Sequence, residues 1–278
     1  MTAVHATPGK DSGLLQFFLQ LLRQRALIGK FVTREMHSRY RGSLLGLMWS
    51  FVTPLLMLAV YTFVFSVVFK ARWGVAQSGD GHFALMLFAG ITVFSLFAEV
   101  VSRAPMLIVQ QANYVKKVVF PLEVLPVSAL GVAAVHTLIT LLMLVVAAAW
   151  VQRGLPASAL AVPLIFAPLL LLLLGLAWIL AALGTYLRDI GQLIGLVVTA
   201  MQFLSPVFYP VSALPQSFQP MLRANPVTLP IESLRLALFA GQWPDWSALA
   251  VYSLIAVAVA LGGAWLFMRL RTGFADVL

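Results

Sequence analysis

The sequence has no cysteine and very little charge. Of 278 residues only 10% are Asp, Glu, Lys or Arg, 62% are hydrophobic, and the mean hydropathy is +0.98. Soluble domains run at about 25% charged and about 45–50% apolar, so the soluble classes are excluded. Without cysteine there is no disulfide framework, no thiol chemistry and no cysteine metal cluster. Nor is there a G-x-x-x-x-G-K-[ST] phosphate loop, an H-E-x-x-H helix or a G-x-S-x-G elbow. The chain is therefore expected to hold no metal and no cofactor and to have no catalytic residues. Its net charge of +9 does not point to nucleic acid, because the basic residues lie between long apolar blocks, where they act as topology signals.

What is present is membrane-spanning sequence. A span takes roughly 20 apolar residues. Stretches poor in charge give an all-α integral membrane fold with six transmembrane helices, at about 44–69, 83–101, 124–152, 159–187, 190–209 and 246–268. Pro54 kinks the first, which membrane helices tolerate. Residues 1–43 form an N-terminal region ahead of the transmembrane domain 44–278. Met1–Ser12 is polar and the apolar run from Leu14 is interrupted by Arg23 and Arg25, so no cleavable signal is expected. Six crossings place both termini on one side. Thirteen of the 18 basic residues fall on that side, so both termini are expected in the cytoplasm.

Four stretches are not ordinary spans. Gly13–Lys30 sets Leu14, Leu15, Phe18, Leu19, Leu22 and Ala26 on one helical face and Gln16, Gln20, Arg23, Gln24 and Lys30 on the other, the pattern of a helix lying in the membrane interface. Thr33–Gly42 anchors the first span and places Arg34, Arg39 and Arg41 at headgroup depth, where guanidinium groups suit paired phosphate contacts. Ser102–Pro126 is too long for a tight turn and too apolar for a linker, which predicts a short helix along the cytoplasmic surface, ended before Pro121. Ser205–Asp245 holds seven prolines in 41 residues and predicts short helices broken by turns at the outer surface. Irregular backbone at membrane depth survives only where protein or water covers it, so this stretch is expected to border a pathway.

Within the spans the chemistry is aromatic. Trp49, Tyr61, Trp178, Tyr186, Phe203, Phe208 and Tyr209 are candidates to line a path or form its gate, since aromatic faces stack on sugar rings. His136 is the one intramembrane histidine, and Glu99 is expected to pair with Arg103 one helical turn later.

These residues together resemble a family, the membrane subunits of type II ABC exporters for bacterial polysaccharides. The likeness is carried by Arg34-Glu35-Met36, Arg39-Tyr40-Arg41-Gly42-Ser43-Leu44-Leu45-Gly46 through Trp49 with Pro54, and Asn113-Tyr114-Val115-Lys116-Lys117. It continues in Phe120-Pro121-Leu122-Glu123-Val124-Leu125-Pro126, Tyr186-Leu187-Arg188-Asp189-Ile190, Ser205-Pro206-Val207-Phe208-Tyr209 and Asn225-Pro226. The resemblance implies a homodimer in the bacterial inner membrane with two cytoplasmic ATP-binding subunits, which hold the ATP and Mg. It implies a channel for an undecaprenyl-diphosphate-linked glycan, an N-terminal interface helix, external gate helices, and a cytoplasmic coupling helix that meets the ATPase through Asn113, Tyr114, Lys116, Lys117, Phe120 and Glu123. The ending Arg271–Leu278 is most similar to O-antigen permeases, with capsule and teichoic acid permeases as alternatives. From a different class, a secondary transporter would need coupling-ion groups near the midplane, where only His136 is available. A membrane enzyme would need paired carboxylates, and Asp189 and Glu123 are isolated in sequence.

Overall fold

The computed structural model describes residues 13–43, 46–64, 80–117 and 120–278. Among these every regular element is helical. Helices α1 (Leu14–Arg23) and α2 (Arg25–Tyr40) precede α3 (Trp49–Thr62). Long α4 (Asp80–Arg103) leads through the 3₁₀ turns Ala104–Met106 and Val109–Gln111 into short α5 (Ala112–Lys117). Then follow α6 (Val124–Gln152), α7 (Val162–Tyr186), α8 (Ile190–Phe203), α9 (Gln219–Arg223), α10 (Thr228–Arg235), α11 (Trp246–Leu270) and α12 (Phe274–Val277).

Four apolar segments are long enough to cross a bilayer: His82–Met106, Val124–Gln152, Ala157–Tyr186 and Trp246–Val277. They match the expected second, third, fourth and sixth spans, somewhat lengthened by 3₁₀ turns. Helix α3 and helix α8 are shorter. At 14 residues α8 spans about 21 Å, less than the roughly 30 Å of hydrocarbon. Of the first expected span, residues 44–45 and 65–69 lie outside the described residues.

The expected interface helix is two helices rather than one, divided at Gln24, and the second runs on through the arginine-rich stretch to Tyr40. Helix α1 buries Phe17 and Leu21 against protein while Leu15 and Leu22 stay exposed. Phe17 and Phe18 meet the indole of Trp178 edge-on at 5.3 and 6.0 Å, so this helix is tied to the end of α7 by aromatic packing.

The core is built by close approach of small residues. Helix α7 packs along α11, and a Cβ on Gly175 would stand 2.5 Å from the Val259 carbonyl oxygen, while one on Gly263 would overlap the carbonyl of Gly175. Two backbones can meet this closely only where the residue facing the partner's main chain has no side chain, the membrane counterpart of burying large residues. At the far end of α7 a Cβ on Gly184 would run into the backbone of Pro105. Helix α4 is enclosed on most of its faces, whereas α6 and α11 leave apolar side chains such as Val146, Leu254 and Ile255 exposed, as lipid-facing helices do.

The bundle has two distinct ends. At one, α1, α2, α5 and α12 gather around the end of α7 and the start of α6. At the other, the 205–245 stretch folds as expected into short broken helices, closing with a π-helical turn, Leu236–Ala240. Ser158 Oγ donates to Ala237 O and Gln152 Nε2 to Leu238 O, which fixes that turn to the start of α7 and the end of α6. Helix α11 starts at Asp245, whose carboxylate accepts from the Ser247 and Ala248 amides; the Ser247 hydroxyl, first, and then these amides hold it below the usual carboxylate range.

Replacing Gly175 by Val is expected to destabilise the chain by about 2 kcal/mol through overpacking at the α7–α11 crossing. Thermal unfolding in detergent checks this. Gly262, which has nothing within 4 Å of its Cβ position, tolerates alanine as the control.

Candidate functional site

Helix α2 crosses the ends of α4 and α6, and the charges that composition made scarce converge there. Glu99 on α4 is the hub. Its Oε1 accepts from Arg39 Nη2 at 2.5 Å, its Oε2 lies 3.4 Å from His136 Nδ1 on α6, and Arg103 Nη1 is 3.7 Å away. Arg39 Nη1 also sits 3.1 Å from His136 Nδ1. The expected one-turn pair of Glu99 with Arg103 forms at 3.7 Å, and two further partners join it: Arg103 Nη2 donates to Glu35 on α2, and Arg39 is the nearest cation to Glu99. Two carboxylates and two guanidinium groups thus balance in a region where unpaired charge is costly. Each of these side chains keeps between about a fifth and a third of its surface exposed, so the network is accessible and not sealed.

Beside it α2 receives the connection between α4 and α6. The rings of Tyr114 and Phe120 stack at 4.7 Å, both lean on Phe31, and the Arg34 guanidinium lies 4.5 Å over the Phe31 ring while donating to the Tyr114 hydroxyl. Between this clamp and the ion network lies a cavity of about 230 Å³ bordered by Arg34, Glu35, Ser38, Arg103, Gln110 and Gln111.

The arginines expected to meet phosphate therefore do not converge. Arg34 is held by Tyr114, Arg39 by Glu99, and Arg41 stands exposed in the turn after α2. Of the six residues expected to face an ATPase, Tyr114 and Phe120 belong to the aromatic clamp and Asn113 is exposed. Glu123 is buried instead, paired with Arg271 at 3.4 Å, and its carbonyl accepts from the Trp178 indole. It joins the start of α6 to the chain's C-terminal turn. The side chains of Lys116, Lys117 and Tyr61 fall outside what the structure describes.

The aromatic candidates divide in the same way. Trp178 is wholly buried and presents no surface to a path, because α1 covers it. Trp49 and Phe203 are exposed. The Tyr186 hydroxyl donates to Leu270 O, which draws the end of α7 to the end of α11. Phe203 and Phe208 lean together at 6.1 Å, and the Tyr209 hydroxyl donates to Phe203 O at 2.5 Å, so these three form one aromatic turn after α8.

What fixes that turn is a residue that sequence reasoning passed over. Arg235 is 3% exposed, with Nε donating to Met86 O, Nη1 to Pro206 O and to Glu232, and Nη2 to Val207 O. Asn225 donates to Leu204 O and Ser205 Oγ and accepts from the Val227 amide. The chain leaves helical geometry after α8, and its carbonyls there need donors: Asn225 serves Leu204 O, and Arg235 serves Pro206 O and Val207 O. Gly90 leaves the room: a Cβ there would stand 2.6 Å from Arg235 Nη2. The signal in the sequence was a charged pair, Glu232 and Arg235, inside the otherwise mostly apolar block Leu229–Ala240.

Comparison with known proteins assigns this architecture. Residues 27–239 match the family model described as ABC-2 type transporter. The chain is 28% identical over 266 residues to the O-antigen export system permease protein RfbA of Myxococcus xanthus, covering 95% of this chain and 99% of that one. It is 24% identical to the protein of the same name from Klebsiella pneumoniae, over 91% of this chain and 95% of that one. It is 19% identical to the polysialic acid transport protein KpsM of Escherichia coli, over 86% and 92%. With most of its length inside the family match, and with several bilayer-length helices, the chain belongs to the ABC-2 type transporter membrane family.

Proposed function

We propose that this chain is the channel-forming subunit of an ATP-driven exporter that moves an undecaprenyl-diphosphate-linked polysaccharide, of the O-antigen kind, across the bacterial inner membrane. The observation that carries this reading is the end-to-end similarity to relatives named as O-antigen export permeases. The weaker similarity to a polysialic acid transport protein keeps capsule export as the second reading.

In this reading the chain crosses the membrane six times, at α3, α4, α6, α7, α8 and α11, with both termini in the cytoplasm. It works as a homodimer. Two cytoplasmic subunits bind and hydrolyse ATP with Mg, and the chain itself catalyses nothing. Helix α5 and its flanks, with Asn113 outermost, meet the ATPase, and the Tyr114–Phe120–Phe31 stack passes its movement to α2. The aromatic turn Phe203–Tyr209 gates the outer end. Arg34, Arg39 and Arg41 handle the diphosphate at headgroup depth, the strong electrostatic handle on a glycan whose sugars carry little charge.

A strain lacking the chain is expected to accumulate polysaccharide inside the cell and lose it from the surface. An Asn113→Cys variant is expected to cross-link an ATP-binding subunit in native membranes. Retention of surface polysaccharide, or cross-links that contain no such subunit, would refute the reading.

Arg39→Lys with Arg41→Lys separates anchoring from phosphate recognition. Lysine keeps the positive charge facing Glu99 and the bilayer but lacks the planar pair of donors. Normal membrane levels with substrate-stimulated ATPase activity reduced about tenfold or more are expected, each paired contact to a charged group being worth about 1.5–3 kcal/mol. Wild-type export by this variant would leave the arginines as topology signals alone.

A further inference from the structure

The cavity beside the ion network is unusually polar for a chain this apolar. Arg34, Arg103, Gln110 and Gln111 are among the residues that border it. No intramolecular hydrogen bond involves either glutamine's side-chain amide among the described residues. Arg103 is also under-used. Its Nη2 donates to Glu35, while its Nη1 is buried, makes no hydrogen bond and only approaches Glu99 at 3.7 Å. A guanidinium has five donors in a planar fork, and here most of that capacity is idle. The single anion on the cavity wall is Glu35, the acceptor of Arg103.

We propose that this cavity, between α2 and the turns that follow α4, seats a lipid-borne phosphate or diphosphate on Arg103, Gln110 and Gln111, with Glu35 as the resident counter-ion that the phosphate displaces. The proposal rests on the exporter reading for its ligand and adds a seat distinct from Arg39 and Arg41. Glu35 is a carboxylate with one charge and two oxygens. A diphosphate brings more charge and more acceptor oxygens, and it can use the Arg103 fork and both amides together. Displacing Glu35 also removes an ionic tie between α2 and α4, so occupancy of the cavity is read directly by the helix that carries the aromatic clamp. The same chemistry would accept the phosphate of a bilayer lipid, and the test separates the two sources.

The purified chain with its ATP-binding subunits is placed in nanodiscs of neutral phosphatidylcholine, and binding of undecaprenyl diphosphate and of phosphatidylglycerol is measured separately. Arg103→Gln is avoided, because it strands Glu35 and Glu99. Glu35→Gln, which keeps the shape and removes the competitor, is expected to tighten binding several-fold. The Gln110→Ala, Gln111→Ala pair is expected to weaken it about tenfold, the loss of one charge-assisted hydrogen bond or two. Unfolding midpoints near that of the parent protein confirm that each variant is folded; if Glu35→Gln lowers the midpoint markedly, the glutamine pair alone decides. Shifts for undecaprenyl diphosphate alone assign the cavity to the export substrate, and equal shifts for both lipids assign it to phosphate headgroups in general. Unchanged affinity for both lipids in the folded variants overturns the cavity site. If those variants bind as the parent does while polysaccharide export continues, the exporter reading stands without the cavity. If the affinities shift as expected but the chain exports no polysaccharide, the exporter reading fails and a phosphate site remains.

Discussion

The crossing of α2 over α4 and α6 is arranged around one carboxylate. Glu99 sits on the most enclosed helix, near enough to the hydrocarbon that an unpaired charge would be costly, and it draws Arg39 from α2 and His136 from α6 to within hydrogen-bonding range. Because Arg39 lies on a helix that buries few residues of its own, this ionic attachment, with Glu35–Arg103 and the Phe31 stack, is what holds α2 across the bundle. Ionic ties of this kind act over longer range than apolar contact and are more selective about their partner.

At the opposite end the governing constraint is the backbone. A chain that stops being helical within or beside a bilayer exposes carbonyls that water cannot reach, and each must find a donor. Arg235 answers two of them, at Pro206 O and Val207 O, Asn225 a third at Leu204 O, and the Tyr252 hydroxyl a fourth at Pro226 O. The proline-rich stretch is therefore a fixed structure and not a slack loop. The aromatic turn Phe203–Tyr209 is positioned through the carbonyls of Pro206 and Val207, which Arg235 holds.

Sequence patterning reached the long helices because their signal is an unbroken apolar run of bilayer length, and Val124–Gln152 coincides with the expected limits. It found the short-helix character of 205–245 through proline, whose effect on the backbone is local. What it missed depended on partners far apart in the chain. The one-turn rule found the Glu99–Arg103 pair but not the second and shorter partner, Arg39, 60 residues away. The family resemblance put Glu123 at a contact with another subunit; in the fold Arg271, 148 residues later, neutralises it in the interior. Trp178 reads as an aromatic in a span, and only the return of α1 over the end of α7 makes it a core residue. Periodicity reports which face of a helix is apolar and is silent on what comes to cover it.

The glycine contacts have a mechanical consequence. Gly184 meets the backbone of Pro105 with no side chain between them, and Gly175 and Gly263 bring α7 and α11 together in the same manner. Side chains cushion displacement by changing rotamer, but main chain against main chain has no such compliance. The turn after α4, helix α7 and helix α11 are thus joined main chain to main chain into one stiff unit, with the end of α7 drawn to the end of α11 by the Tyr186–Leu270 bond. Such contacts leave this unit little freedom to flex, whereas the short helices α3 and α8 stand outside it.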